Sequence, residues 1–295
     1  MPSEQRKPLW LFPNLLSLDA PLVAVAWLYI FAKTWRVDYL PWAAYISLGL
    51  VVWSIYVADR LLESSLADGT ARKLEARHEF HRQHRRVFGL LLKFAAAATV
   101  ILVTTTLPWT IYGFAFGPGG FIGYAIYGGI LILGFFALSI FSSAGPDDLP
   151  HAKNALAGIT FGYGTAMLAH AYTGFEMDAL LRSPEFICFA VLCILNISAI
   201  DLWEHAHRSS DPEIKASDEL ALTLPLLILG LASLIFALKD HELTTRPFFY
   251  AILTGAALLH VLNRTRSRFS MDSLRVLADV ALLVPFLVFL AASKP

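Results

Sequence analysis

Apolar residues recur in runs of about twenty along the whole chain, each long enough to cross a ~30 Å hydrocarbon core as a helix. The pattern predicts nine spans, at roughly 14–33, 40–63, 88–110, 121–141, 153–173, 184–204, 219–238, 247–263 and 273–292. Between them lie segments with loop chemistry: FGPGG at 116–120, SSAGPDDLP at 142–150 and RSSDP at 208–212. Pro21 in the first span and Pro225 in the seventh predict kinks, tolerated where neighbouring helices satisfy the freed backbone groups. No fixed-period repeat shows, and no polar stretch is long enough for a separate soluble domain. The expectation is an all-α fold: a polytopic transmembrane bundle forming one integral membrane domain over residues 1–295.

Composition agrees with the pattern. The chain is 57% hydrophobic and 16% charged, where a soluble domain carries roughly a quarter charged residues. Its formal net charge is zero, so nothing draws it to nucleic acid. Arg6 and Lys7 precede an apolar stretch that runs past Trp27 with no small-residue cleavage site, so this reads as the first span, not as a removed leader. Placing the N-terminus in the cytoplasm leaves only Lys33, Arg36, Arg182, Lys239, Arg246 and Lys294 of the 23 Lys and Arg on the opposite side, together with the C-terminus. Cys188 and Cys193 fall on different faces of one span and read as small buried hydrophobes.

The chemistry gathers at two span ends. The second span closes on WSIYVADRLLE, with Asp59 and Glu63 one turn apart on one helix face. The sixth closes on NISAIDLWEHAHRSSDPEIKASDEL, where Asp201, Glu204 and His205 share a face. By the span count both ends are cytoplasmic. Two helices each bringing two carboxylates to one membrane face are suited to Mg2+, a hard cation that bridges carboxylates to a substrate's phosphates. Arg60, Arg77, Arg82, Lys153, Arg208 and Lys215 lie on the same side and could grip a diphosphate.

On these residues the chain resembles the UbiA superfamily of intramembrane prenyltransferases, nine-helix proteins with Asp-rich motifs at the cytoplasmic ends of the second and sixth helices. VADRLLE matches the latter half of a first motif N-D-x-x-D-x-x-x-D, with Asp59 and Glu63 in the second and third acidic places. AIDLWEHAH carries Asp201 at the opening of the D-x-x-x-D motif, with Glu204 one residue short of its close, where His205 stands. Ile55 and Tyr56 replace the first motif's Asn and first Asp. The resemblance implies Mg2+ on Asp59, Glu63, Asp201 and Glu204, and catalysis by Asp59, Asp201 and Lys153. It also implies diphosphate contact by Arg60, Arg77, Arg82, Lys153 and Lys215. The reaction implied is transfer of a prenyl group from a prenyl diphosphate to a lipophilic, aromatic or lipid acceptor.

Two other readings stand beside it. The departures at Ile55 and Tyr56 suit a non-catalytic member of the same fold that binds a lipid or a partner membrane protein. The histidines of RHEFHRQHRR (His78, His81 and His84), with His151, His205 and His207, suit a metal-dependent membrane oxygenase, although their cationic neighbours would repel a metal. A transporter would call for paired broken helices related by a repeat, which the sequence does not display. His170 and His260 read as interior groups bonded to neighbouring helices, and Asp279 as facing the bundle interior. Asn196 reads as a bond to substrate or to a neighbour, and Gly158, Gly162 and Gly164 as close helix packing.

Overall fold

The computed structural model describes residues 8–66, 76–107, 120–142, 149–240 and 243–293. Apart from short 3-10 turns, the elements among them are α-helices: α1 (Phe12–Leu15), α2 (Asp19–Thr34), α3 (Trp42–Leu66), α4 (Ala76–Gln83), α5 (Arg85–Thr105), α6 (Phe121–Ser142), α7 (Leu149–Ala171), α8 (Met177–Arg182), α9 (Pro184–Arg208), α10 (Pro212–Lys239), α11 (Arg246–Thr265) and α12 (Met271–Ala292). Six of them, α3, α5, α6, α9, α10 and α12, are long and apolar enough to cross a membrane, and the bent α1–α2 segment makes a seventh if it is one span. The chain is a multi-pass integral membrane protein. Helices α7 and α11, of 23 and 20 residues, have the length but not the apolarity, because much of their surface faces other helices.

Helix α9 is the central post, packed against α7, α10, α11 and α12. Two glycines set its closest crossing. A Cβ on Gly158 would lie 2.6 Å from the Ile194 backbone nitrogen, and one on Gly162 would lie 3.1 Å from the Ala190 Cα. The antiparallel helices α7 and α9 therefore touch backbone to backbone at two successive turns. A Cβ on Gly164 would meet nothing within 4 Å, so only two of the three glycines serve the packing. Helices α5 and α6 show many exposed Leu, Ile, Val and Phe side chains, as lipid-facing helices do.

The first predicted span is not one helix. Helix α1 meets α2 at a bend of 77°, and the break falls at Ser17, whose φ of 58° lies in the left-handed region. Pro21 does not cause it, since it sits in the first turn of α2, where proline's missing N–H costs nothing. A non-glycine residue in that region is unfavourable by about 1–2 kcal/mol, and side chains hold it there. The Arg60 guanidinium donates to the Asn14 carbonyl at 2.7 Å and to the Ser17 hydroxyl at 2.6 Å. The Asn14 amide donates to Asp19 Oδ2 at 2.6 Å, and Trp53 Nε1 donates to the Leu16 carbonyl at 3.0 Å. Pro225 lies within the unbroken α10, as Pro285 does within α12. Cys188 and Cys193 are buried free thiols.

Candidate functional site

Helix α7 joins the acidic ends of α3 and α9 through two consecutive residues. Lys153 Nζ donates to Glu63 Oε1 at 2.6 Å and stands 4.0 Å from Asp59 Oδ1. The next residue, Asn154, donates its amide to Asp201 Oδ2 at 2.6 Å. Adjacent helical positions point about 100° apart, so one residue can serve each neighbour. The glycine crossing fixes the depth of this pair, with Asn154 one turn before Gly158 on the α9-facing side of α7. The Lys153 ammonium lies in the combined field of Asp59, Glu63 and Asp201, and 5.6 Å above the Phe135 ring of α6. Ser139 on α6 donates to Asp59 Oδ1 at 3.4 Å. Asp59, Glu63, Lys153 and Asp201, drawn from three separate stretches of sequence, thus meet at one end of the bundle. Ser139 and Asn154 belong with them, and neither carried a sequence signal beyond its nearness to the loop at 142–150.

Glu204 stands outside this group. Arg275 Nη2 donates to its Oε1 at 2.6 Å and Arg208 Nη2 to its Oε2 at 2.8 Å. Its three-residue offset from Asp201 turns it toward α12, where Arg275 waits, buried. Asp272 holds the same arginine from below at 3.2 Å.

The basic residues scatter. Arg60 is buried at 3% exposure in the α1–α2 knot, where its guanidinium donates to Asn14 and Ser17. Arg82 pairs with Glu79 at 2.7 Å. Lys215 is exposed in the first turn of α10. The Arg77 and His78 side chains lie outside the described residues.

The histidines take separate partners. His81 is fully buried, stacked 4.0 Å from Phe88 and 3.3 Å from the Ser17 hydroxyl. His84 Nδ1 bonds to the Phe80 carbonyl at 2.9 Å, and His205 pairs with Asp218 at 2.8 Å. Among the described residues no three His, Cys, Asp or Glu side chains come together as a metal-ligand group. His170 bonds to the Tyr124 hydroxyl of α6 at 2.6 Å, as an interior histidine should. His260 departs from that expectation, since its buried Nδ1 has no partner among the described residues. Asn196 behaves likewise: it is 5% exposed and its Oδ1 finds no donor among the described residues.

Comparison with family models, with curated protein sequences and with solved structures gave no match to this chain.

Proposed function

We propose that the chain is a UbiA-like intramembrane prenyltransferase, moving a prenyl group from a prenyl diphosphate to a lipophilic acceptor with the help of Mg2+. One observation carries the reading: Lys153 and Asn154 bind the acidic end of α3 to that of α9, with Glu63 and Asp59 beside the Lys153 ammonium and Asp201 held by the next residue, Asn154. Three carboxylates against one cation leave an excess of negative charge, and hard oxygen donors suit Mg2+. Asp59, Glu63 and Asp201 would hold it on turning from Lys153 and Asn154, since as they stand no three such side chains among the described residues form a ligand group, and Glu204, committed to two arginines, is left out of the set. When bound, the ion supplies neutralisation of the diphosphate. In the transfer, the bond between the allylic carbon and the diphosphate oxygen breaks and its electron pair leaves with the diphosphate. The acceptor's nucleophilic atom forms the new bond and gives up a proton. Lys153 donates to the departing oxygens, and Asn154 holds Asp201 in place. The same reading counts α7, α11 and the α1–α2 segment as spans, and puts the N-terminus and the acidic end in the cytoplasm and the C-terminus across the membrane.

The test is turnover. Purified protein in nanodiscs, given farnesyl diphosphate, Mg2+ and an extract of membrane lipids, should release diphosphate and form a prenylated lipid. Asp59→Asn, Asp201→Asn or chelation should stop both. Absence of diphosphate release with every lipid extract and prenyl chain length tried would reject the enzyme.

One arrangement favours a second reading, a non-catalytic member of the fold. Lys153 and Asn154 already bond the acidic groups, as residues stapling three helices would. That reading expects a lipid to co-purify with the protein and no turnover of any prenyl diphosphate.

A further inference from the structure

Helix α4 and the first turn of α5 carry a run of cations that the Lys153 group does not use. The backbone stays helical through their junction, with His84 N donating to the Phe80 carbonyl at 3.2 Å and Phe88 N to the His84 carbonyl at 3.0 Å. Residues seven apart therefore share a face, and His81 and Phe88 fix the buried one. Their rings stack at 4.0 Å, with His81 3.3 Å from the Ser17 hydroxyl and the Phe88 ring 6.5 Å from that of Trp53 on α3. Every residue from Arg82 to Val87 is exposed.

The charge on this surface is one-sided. Residues 76–105 include Arg77, Arg82, Arg85, Arg86 and Lys93 but a single acidic residue, Glu79, which pairs with Arg82. The first turn of α5 holds no acidic residue, and among the described residues Arg85 and Arg86 have no ion-pair partner. Arg82 and Arg86 stand one turn apart, where like charges repel. The apolar surface of the span begins at once, with Val87, Leu90, Leu91 and Phe94 each 45–65% exposed. Arg86, Leu90 and Phe94 recur at four-residue spacing along one side of the helix, and Phe94 lies about 12 Å beyond Arg86 by helical rise. Lys93 is exposed beside Phe94, and its stem is long enough to carry the ammonium back toward the arginines.

We propose that this side of α4 and α5 binds an anionic phospholipid, with its headgroup on Arg82, Arg85 and Arg86 and its acyl chains along Leu90 and Phe94. Charge and level together select that partner. A soluble anion would answer the arginines and leave the apolar strip unused. A zwitterionic lipid would cover the strip and bring no net charge to the arginines. The inference uses neither a prenyl diphosphate nor Mg2+ and stands apart from the prenyltransferase reading.

Native mass spectrometry of the full chain, taken from detergent with equal amounts of phosphatidylglycerol and phosphatidylcholine of the same acyl chains, reads which lipid stays bound. One Lys or Arg beside an anionic lipid is worth about fivefold in affinity. The parent should therefore retain phosphatidylglycerol at least about tenfold over phosphatidylcholine. Arg85→Gln with Arg86→Gln should cut that ratio by about tenfold or more. Lys215→Gln with Arg268→Gln removes the same charge from exposed positions on α10 and in the turn after α11, and should leave the ratio within about twofold of the parent's. Should the first pair not fold, Arg86→Gln alone decides, by a loss of about fivefold. Equal retention of the two lipids by the parent would overturn the proposal and point to an acidic protein partner for this surface. A ratio unchanged in the Arg85 and Arg86 variant would overturn it too, as would equal losses in both pairs, the mark of diffuse charge without a site.

Discussion

Substituting Gly158 by alanine tests whether the backbone contact between α7 and α9 aligns the candidate site. The new Cβ would sit 2.6 Å from Ile194 N and 2.7 Å from Ile194 Cα. Ordinary carbon contacts begin at about 3.5 Å, so the helices must part by close to 1 Å. A methyl forced into a packed interior costs about 1–3 kcal/mol, against a helix-propensity gain of at most ~1 kcal/mol. With the full propensity gain the net loss is up to about 2 kcal/mol. Asn154 lies one turn away, so the same displacement stretches its 2.6 Å bond to Asp201 to the outer limit of hydrogen bonding. Gly164→Ala is the control, since its Cβ would meet nothing within 4 Å. Melting by light scattering in detergent should put Gly158→Ala several degrees below the parent and Gly164→Ala level with it or above. Binding of farnesyl diphosphate should fall in the first and persist in the second. If the two variants melt alike, the close crossing does not govern the alignment.

Other perturbations read the surrounding networks. Lys153→Met removes the cation from Asp59 and Glu63 and should cost about 1–3 kcal/mol, less than for a fully buried pair because these side chains are partly solvated. Adding Glu63→Gln should recover part of that loss in a double-mutant cycle, and additive losses would show that the pair is not coupled. Arg60→Met takes one donor from the Asn14 carbonyl, which keeps the Ser17 N–H, and one from the Ser17 hydroxyl, which keeps His81, and should cost about 1–3 kcal/mol in all. Hydrogen exchange over residues 12–20 should then quicken; unchanged exchange would mean the bend holds without the arginine. Glu204→Gln should lower the melting temperature by loosening Arg275 yet leave Mg2+-dependent ligand binding intact. Loss of binding at full stability would return Glu204 to the site.

The helical fold was legible because spans of about twenty apolar residues leave few alternatives in a bilayer. The first span misled because its break comes from Ser17, an unremarkable residue in sequence, held by Arg60 from 43 positions away. Asp59, Glu63, Asp201 and Lys153 are conspicuous in the sequence as charges at the ends of apolar helices, but the pairing of Lys153 with Glu63 and Asp59 is not legible there, where Lys153 is expected on a diphosphate. Glu204 and Arg60 looked equally conspicuous, yet each is claimed by a partner that spacing cannot reveal: Arg275, 71 residues later, and the backbone of α1. Asn154 and Ser139 were missed for the opposite reason, since small polar residues gain meaning only from what packs against them. The glycines were read correctly as packing, but which two of the three touch α9 depends on helix rotation.

The most direct test asks whether Asp59 and Asp201, on different helices, serve one ligand. Titration of farnesyl diphosphate into the nanodisc-embedded protein, with Mg2+ and then with chelator, should show saturable binding at one site that the chelator abolishes. Asp59→Asn and Asp201→Asn should each weaken it about tenfold or more, and the double variant should lose less than the sum, because both residues act on the same phosphates. Absence of Mg2+-dependent binding, or strictly additive losses from the two substitutions, would contradict a shared site.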